Sequence, residues 1–229
     1  MIGLRSVVLP RTTVTAGAVD YLREDIVSGI LRAGEPLPEA RLGESLGVSR
    51  APVREALTLL EREGLVEFDR RGTARVCSFG LEAVRELALM RLALEPLGAR
   101  LACGRIPSDI DIALTASLEM TRTENDVVRM TVLDLEFHRL LMRAAGNRRL
   151  LLAWEGLASQ FRLCMTRFHQ RLAVEVPQFQ LLTYRGHSDI LATIRSGLPE
   201  RAEAEVRRSA ELWFPHLEAA FTNQIGSNE

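Results

Sequence analysis

The chain has 229 residues, 47% hydrophobic, 26% charged and 5% aromatic, which is typical of a globular protein with one or two domains. With a formal net charge of −1, the protein has no overall positive charge to attract nucleic acid. Nucleic-acid binding would therefore depend on where its positive residues are located. Three widely spaced cysteines fit neither a disulfide framework nor a zinc finger and predict a reducing, cytoplasmic location. No apolar run approaches the roughly 18 residues of a membrane span, so no membrane partner is expected.

The N-terminal part predicts an arm followed by two helices. Residues 1–15 show no sustained periodicity and are expected to form a flexible arm. Residues 16–30 predict a helix, because one face of it is apolar: Val19, Leu22, Ile26 and Ile30. After a turn rich in proline and glycine, residues 39–46 predict a short helix that Gly47 ends with a positive φ.

A third helix is predicted to begin after Ser49, whose hydroxyl is expected to cap it. Pro52 is tolerated because N–H groups in a first turn have no partner within the helix. Arg50 and Arg54 lie on the face opposite an apolar stripe of Val53, Ala56, Leu57 and Leu60. The preceding turn is short and contains Gly47, which indicates a helix-turn-helix.

After the third helix the periodicity changes to that of two strands. Apolar and polar residues alternate over 66–69 and again over 73–76. The intervening "DRRG" predicts a hairpin whose basic tip includes Arg71 and Gly72. The first third of the chain is therefore predicted to be a winged helix-turn-helix.

The two arginines of the third helix predict contact with DNA. A helix N-terminus carries partial positive charge and free N–H groups, which suit phosphate. In a helix-turn-helix the first residues of the second helix meet base edges, where an arginine donates two hydrogen bonds to guanine. The alternative for Arg50 and Arg54 alone is a solvated helix face, but the surrounding motif and the basic wing favour DNA.

The run "PLPEARLGESLGVSRAPVREALTLLEREGLVEFDRRGTARV" resembles the DNA-binding domain of the GntR family of bacterial transcriptional regulators, over about residues 16–76. The resemblance implies that Gly72 approaches the minor groove and that six residues face DNA: Arg41, Ser49, Arg50, Ala51, Pro52 and Arg54. Ala51 stands where threonine is common in the family, so one hydroxyl contact and its base preference do not carry over.

From Gly80 onward only helical patterns occur. A long helix starts at Leu81, and later helices are predicted over 108–123, 126–145, 148–171, 178–196 and 199–222. The predicted fold is mainly α, with a winged helix-turn-helix and its small hairpin over 16–77 and a bundle of six or seven helices over 80–224.

Within the bundle, Asp134 and His138 lie four residues apart on one helix face, a spacing that can chelate a divalent metal. His187 opens the stretch "HSDILATI" on a later predicted helix. Because helices place many polar groups at this spacing, an ordinary polar pair is the alternative to a ligand pair.

Two segments, "MRLALEPLGARLA" (90–102) and "DLEFHRLLMRAAGN" (134–147), resemble the FCD effector domain of the FadR subfamily. The resemblance implies metal-ligand positions at Asp134, His138 and His187, with a fourth ligand, a histidine, where this chain has Ser209. Two alternatives stay open. Three ligands hold Zn, Ni or Mn and leave a position for water or an effector carboxylate, or metal binding has been lost.

Arg91 has apolar neighbours on its helix face, and a buried arginine needs an anionic partner. One interpretation pairs it with Glu95, one turn later. The other makes it a clamp on a carboxylate effector, because the planar guanidinium matches carboxylate geometry. The family resemblance implies small organic acids as effectors. Four aromatic residues are expected in the core: Trp154, Phe161, Phe168 and Trp213.

Together these patterns predict a bacterial DNA-binding regulator, in this interpretation a repressor, that binds double-stranded operator DNA as a homodimer. An effector bound in the helical domain would change operator binding. A metal-responsive regulator is one alternative. A metal-dependent helical enzyme is the other, but no general base or substrate-orienting motif accompanies the metal positions, so no catalytic residue and no enzyme are expected.

Overall fold

The computed structural model describes residues 14–222, and within them the chain is mainly helical with one two-stranded antiparallel sheet. This confirms the predicted fold class. Residue contacts divide the chain into two compact units, one ending at Phe79 and the other beginning at Gly80. Every helix within residues 14–222 is too short or too polar to span a lipid bilayer.

The first unit contains α1 (Val14–Val27), α2 (Glu39–Leu46), α3 (Arg50–Arg62), β1 (Val66–Phe68) and β2 (Ala74–Val76). Helix α1 is displaced from the predicted 16–30: it includes Val14 and Thr15 of the predicted arm and ends early. It ends because Gly29 adopts a left-handed φ of 83°, which a helix does not continue. Residues 1–13 of the predicted arm lie outside the described range.

Helix α3 packs against α1 and α2 through its apolar stripe. All four residues of that stripe are fully buried: Val53, Ala56, Leu57 and Leu60. The turn before α3 is tight, with Gly47 at φ 66°. A Cβ atom on Gly43 would lie 2.8 Å from the carbonyl oxygen of Val48, so this turn requires glycine in α2.

The wing is larger than the predicted hairpin. Strands β1 and β2 pair in the register Val66–Val76, Glu67–Arg75 and Phe68–Ala74. The segment before α2 pairs with β2 as a third extended segment. The Gly34 amide donates to the Val76 carbonyl over 2.8 Å, and the Leu37 amide donates to the Ala74 carbonyl over 2.8 Å. The sequence analysis did not predict this third segment, because residues 33–38 contain the glycine and prolines that are typical of a turn.

The second unit is a bundle of seven helices: α4 (Leu81–Ala102), α5 (Ser108–Thr123), α6 (Val127–Ala144), α7 (Arg148–Glu155), α8 (Ala158–Glu175), α9 (Phe179–Arg195) and α10 (Pro199–Thr222). The prediction of one helix over 148–171 was wrong. The chain leaves the helix at Gly156 and Leu157, and glycine is a poor helix former. Helix α10 packs along α4.

Candidate functional site

The first candidate surface is the N-terminal half of α3. Arg50, Ala51 and Arg54 are exposed there, while the opposite face of the helix is buried against α1 and α2. Pro52 is half-buried in the first turn. Ser49 occupies the N-cap position, but its side chain makes no capping hydrogen bond, so that prediction was wrong. The free N–H groups at this helix end remain available to an anion.

The arginines of this surface are largely unpaired. Arg54 Nε lies 3.7 Å from Glu39 Oε1, and the Arg54 side chain is 75% exposed. Such an exposed pair contributes little stability and leaves the cation accessible. Arg41, Arg50 and Arg71 are exposed and form no ion pair with any residue of the described range. These cations are therefore free to meet phosphates or base edges.

The wing tip is held in shape by Asp69. Its Oδ1 accepts hydrogen bonds from the backbone N–H groups of Arg71 over 2.9 Å and Thr73 over 3.0 Å. These backbone donors lower the pKa of Asp69 and keep it ionised. Gly72 supplies the left-handed turn, with φ 76°. The result is an ordered tip that presents Arg71 to solvent.

The second candidate site is a cavity inside the helical unit, formed by α4, α6, α8, α9 and α10. Its walls are mainly apolar and aromatic, including Phe161, Phe168 and Trp213. Trp154, Phe161 and Phe168 are buried, as expected for core residues, whereas Trp213 is half-buried on the cavity wall. Few polar side chains reach the cavity, and most of them are residues singled out from the sequence: Arg91, Glu95, Asp134, His138, His187 and Ser209.

Glu95 connects several of these groups. Its carboxylate accepts from Arg91 Nε over 2.8 Å and from Trp154 Nε1 over 3.0 Å. His138 Nδ1 lies 3.1 Å from Glu95 Oε2, close enough for an ion pair although not aligned for a hydrogen bond. Burial alone would raise the pKa of Glu95, but Arg91 and His138 lower it to about 2. Arg91 is thus paired inside the protein and also lines the cavity.

Asp134, His138 and His187 form one buried cluster whose donor atoms all lie within 4.8 Å of one another. His187 Nε2 is 3.2 Å from Asp134 Oδ1. Two of the three side chains also have a buried polar atom without a hydrogen-bond partner in the described part of the chain: Asp134 Oδ2 and His187 Nδ1. Unsatisfied donors and acceptors in a carboxylate–imidazole cluster fit a divalent metal.

Ser209 lines the cavity from α10, beside the start of the segment that carries His187. Its Oγ is 3.7 Å from the position that a Cβ atom on Gly186 would occupy. A serine is shorter than a histidine and offers no imidazole nitrogen, so the cluster has three candidate ligands among the described residues. His216 is exposed and does not line the cavity, so it does not substitute.

His169, on α8, also lines the cavity and was missed from the sequence. It is buried, with 1% of its surface exposed, and its Nδ1 lies 2.9 Å from Thr131 Oγ1. The helical periodicity of α8 could have placed His169 on the buried face. Phe161, Phe168 and Leu172 form an inward stripe, and His169 falls at i+8 of it. No i,i+4 partner marked it as a ligand.

We expect His169 to weaken the fold in mild acid. Burial lowers its pKa to about 4 from the usual 6.5. Between these values the unfolded chain binds the proton and the folded chain does not, so the free energy of unfolding falls as the pH falls. From pH 7.5 to pH 5, the part of this loss in the free energy of unfolding that is due to His169 is expected to be about 2 kcal/mol.

Urea unfolding in EDTA at the two pH values measures this loss, with His169→Leu as the comparison. The variant should retain only a shallower dependence, because burial also lowers the pKa of His187. Equal pH dependence in the two proteins would contradict the prediction.

Two family models match the chain. The model described as "Bacterial regulatory proteins, gntR family" matches residues 15–76, and the FCD domain model matches residues 86–211. The second match alone covers more than half of the chain.

Similar proteins occur in several bacteria. The chain is 31% identical over 152 residues to the uncharacterized HTH-type transcriptional regulator YdhC of Bacillus subtilis, spanning 63% of this chain and 66% of YdhC. It is 27% identical over 210 residues to a probable D-xylose utilization operon transcriptional repressor of Paenarthrobacter nicotinovorans, spanning 90% of each. The fold resembles that of E. coli McbR/YncC, with a TM-score of 0.71 at 18% identity, over 92% of this chain and 100% of that one.

Proposed function

The chain belongs to the GntR family of bacterial regulatory proteins and carries an FCD domain, and on that premise we propose a repressor whose operator binding responds to a small carboxylate. One observation supports DNA binding: exposed and largely unpaired arginines lie on the N-terminal half of a helix whose opposite face is fully buried. A helix held this firmly can enter the major groove without rearrangement. Because a bacterial operator lies in the cytoplasm, a repressor that binds it works there.

We assign the DNA contacts by role. Arg50 and Arg54 read base edges, and Ser49, Ala51 and Pro52 bring the helix end close to the backbone. Arg41 binds phosphate from the preceding helix. Arg71 and Gly72 place the wing at the minor groove. The protein acts as a homodimer on two half-sites of a near-palindromic operator, since two-fold symmetry in the protein matches two-fold symmetry in the DNA.

The effector site is the cavity of the helical unit. Arg91 lines it with a guanidinium that already holds Glu95, so an effector carboxylate would share that cation. The aromatic walls suit the carbon skeleton of the ligand. Binding in a cavity built from five helices would shift their packing. That shift would alter how the two DNA-binding units of a dimer are spaced.

A divalent metal fits the cluster beside Arg91. Asp134, His138 and His187 would hold Zn, Ni or Mn, and the space beside Ser209 leaves room for a further ligand. When bound, the metal supplies a Lewis acid that attracts an anionic effector. Glu95 would orient His138, as carboxylates commonly do for metal-binding histidines.

We expect metal-free protein to take up one divalent ion per chain and to be stabilised by it. At a free metal concentration of 100 times Kd, the gain is about 2.7 kcal/mol. Elemental analysis and thermal unfolding with Zn²⁺, Ni²⁺ and Mn²⁺ measure both effects. Asp134→Asn should abolish them, because it removes an anionic ligand. His216→Ala, which removes an exposed histidine outside the cavity, should change neither. Wild-type protein that binds none of the three ions would contradict the assignment.

The metal-responsive alternative makes the ion itself the signal. Operator binding measured with and without chelator separates it from the acid-responsive proposal. If the chelator changes neither the fold nor DNA binding, the metal is not the signal. The enzyme alternative is set aside, since the matched families and relatives are transcriptional regulators.

DNA selected from a random library by the wild-type protein provides the operator for all tests. A bound sequence with two related half-sites would support the proposal. Failure to enrich any sequence would overturn it. Small carboxylates are then added to the complex, and a repressor should release DNA when its effector binds.

A further inference from the structure

His169 is a polar group in the cavity that neither the metal cluster nor the Arg91–Glu95 pair uses. It lies on α8, it is buried, and it lines the same cavity. It lines the same cavity as Asp134 and His187 but is not part of the cluster that they form with His138. It has no acidic side chain as a hydrogen-bond partner in the described range.

The Thr131 hydroxyl links its own helix to His169. Thr131 Oγ1 lies 2.9 Å from the Val127 carbonyl oxygen, one turn earlier in α6, and 2.9 Å from His169 Nδ1. A hydroxyl has only one proton, so a Thr131 that donates to the Val127 carbonyl can only accept from His169. We assign the protons in this way, which puts the imidazole proton of His169 on Nδ1. A neutral imidazole protonated on Nδ1 leaves Nε2 as a hydrogen-bond acceptor.

The acceptor at Nε2 has no donor within residues 14–222, since the contact of His169 with Thr131 uses Nδ1. The cavity wall is mainly apolar, and the Arg91 guanidinium is engaged by Glu95. An acceptor in such a place is satisfied by a donor on the ligand. A carboxylate effector that also carries a hydroxyl or amine group would offer that donor, whereas a simple carboxylate would not.

We propose that His169 is a specificity-determining residue of this cavity, and that its Nε2 selects carboxylates bearing a hydrogen-bond donor over analogues that lack one. The inference rests on the proposed carboxylate effector and adds the class of substituent that the site recognises. His169 acts by contact with the ligand, and Thr131 acts through His169 by holding the tautomer.

The test uses matched carboxylates of three sizes on the full chain. They are propionate, lactate and alanine; hexanoate and gluconate; and phenylacetate, mandelate and phenylglycine. Calorimetry with each, in the presence and absence of Zn²⁺, gives Kd for the wild type, for His169→Leu and for Thr131→Val. In the first and third series, which contain both, the hydroxyl and amine members show which donor is preferred.

In the wild type, at least one size should show roughly tenfold tighter binding of the member with a donor, the effect of one hydrogen bond. The preference should disappear in His169→Leu and shrink in Thr131→Val, which keeps the imidazole but frees its tautomer. Equal affinities in the wild type, or an unchanged preference in His169→Leu, would overturn the inference.

A second measurement needs no variant and no ligand. Nitrogen NMR of histidine-labelled wild-type protein at pH 7 should show His169 protonated on Nδ1 and bare on Nε2. A proton on Nε2 overturns the inference even if the carboxylates bind. If no carboxylate binds in any series, the effector half of the proposed function fails together with this inference, while selection of operator DNA still tests the other half.

Discussion

Replacing Arg50 and Arg54 together with alanine is expected to weaken binding to the selected operator at least roughly 30-fold, because each arginine contributes about 1–3 kcal/mol when it binds a guanine with two hydrogen bonds. The fold should be unaffected. Both side chains are exposed, and the buried face of α3 is untouched. The single replacements should also relax base preference at separate positions of each half-site, which fluorescence anisotropy with single-base operator variants measures.

Arg62→Ala is the matched control. Arg62 is also exposed on α3 but lies in its last turn, about 12 Å along the helix axis from Arg54. Its loss removes the same charge as either single replacement and should change affinity only slightly. Salt titration separates the roles further, since losing a phosphate contact lowers the salt dependence whereas losing a base contact lowers discrimination. If Arg62→Ala weakens binding as much as the double replacement, α3 does not meet DNA by its N-terminal half.

The second large effect is expected at Glu95. Glu95→Ala should lower the free energy of unfolding of the helical unit by about 3–5 kcal/mol, because it leaves a buried guanidinium without its counter-ion. The Arg91 side chain is 15% exposed, and the Glu95 side chain only 2%. The same change removes the acceptor of the Trp154 indole N–H. Chemical unfolding followed by circular dichroism measures the loss.

Glu82→Ala provides the comparison on the same helix. Glu82 is exposed and lies 3.8 Å from Arg85, a surface pair that contributes little. Its replacement should cost less than about 0.5 kcal/mol. Glu95→Gln should fall between the two, since the amide keeps one acceptor but loses the charge. A loss below 1 kcal/mol in Glu95→Ala would show that Arg91 finds another anion or water.

Low pH should cause part of the same loss in the free energy of unfolding, because it neutralises the Glu95 carboxylate. The pKa of Glu95 is lowered from 4.5 to about 2, so its stabilising charge is fully present above pH 4.5 and is lost as the pH falls toward 2. This range lies below the one in which His169 acts, so the two contributions separate in a pH series.

Much of the first unit could be predicted because local pattern and tertiary structure agree there. The apolar stripe of α3 and the glycine after α2 are both local features, and both occur as predicted. The boundaries that differed depend on single residues: Gly29 ends α1, and Gly156 separates α7 from α8. Glycine occurs in helices and at their ends, and only packing decides between the two.

The cavity was predictable only in part. The i,i+4 pair Asp134 and His138 is visible in sequence, and the resemblance added His187. His169 has no such spacing, because its partner Thr131 lies 38 residues away on another helix. The two interpretations of Arg91 are compatible in the structure. It binds Glu95 and still borders the cavity, which a sequence periodicity does not distinguish.

The hydrogen bonds from Gly34 and Leu37 to β2 have a consequence for the thermodynamics of DNA binding. An isolated two-stranded hairpin is only marginally stable in water, whereas three paired segments hold a defined shape. The wing therefore loses its conformational freedom when the protein folds and not when it meets the double helix. We infer that the association carries a small entropic penalty at this point, because preorganised elements bind with less loss of freedom.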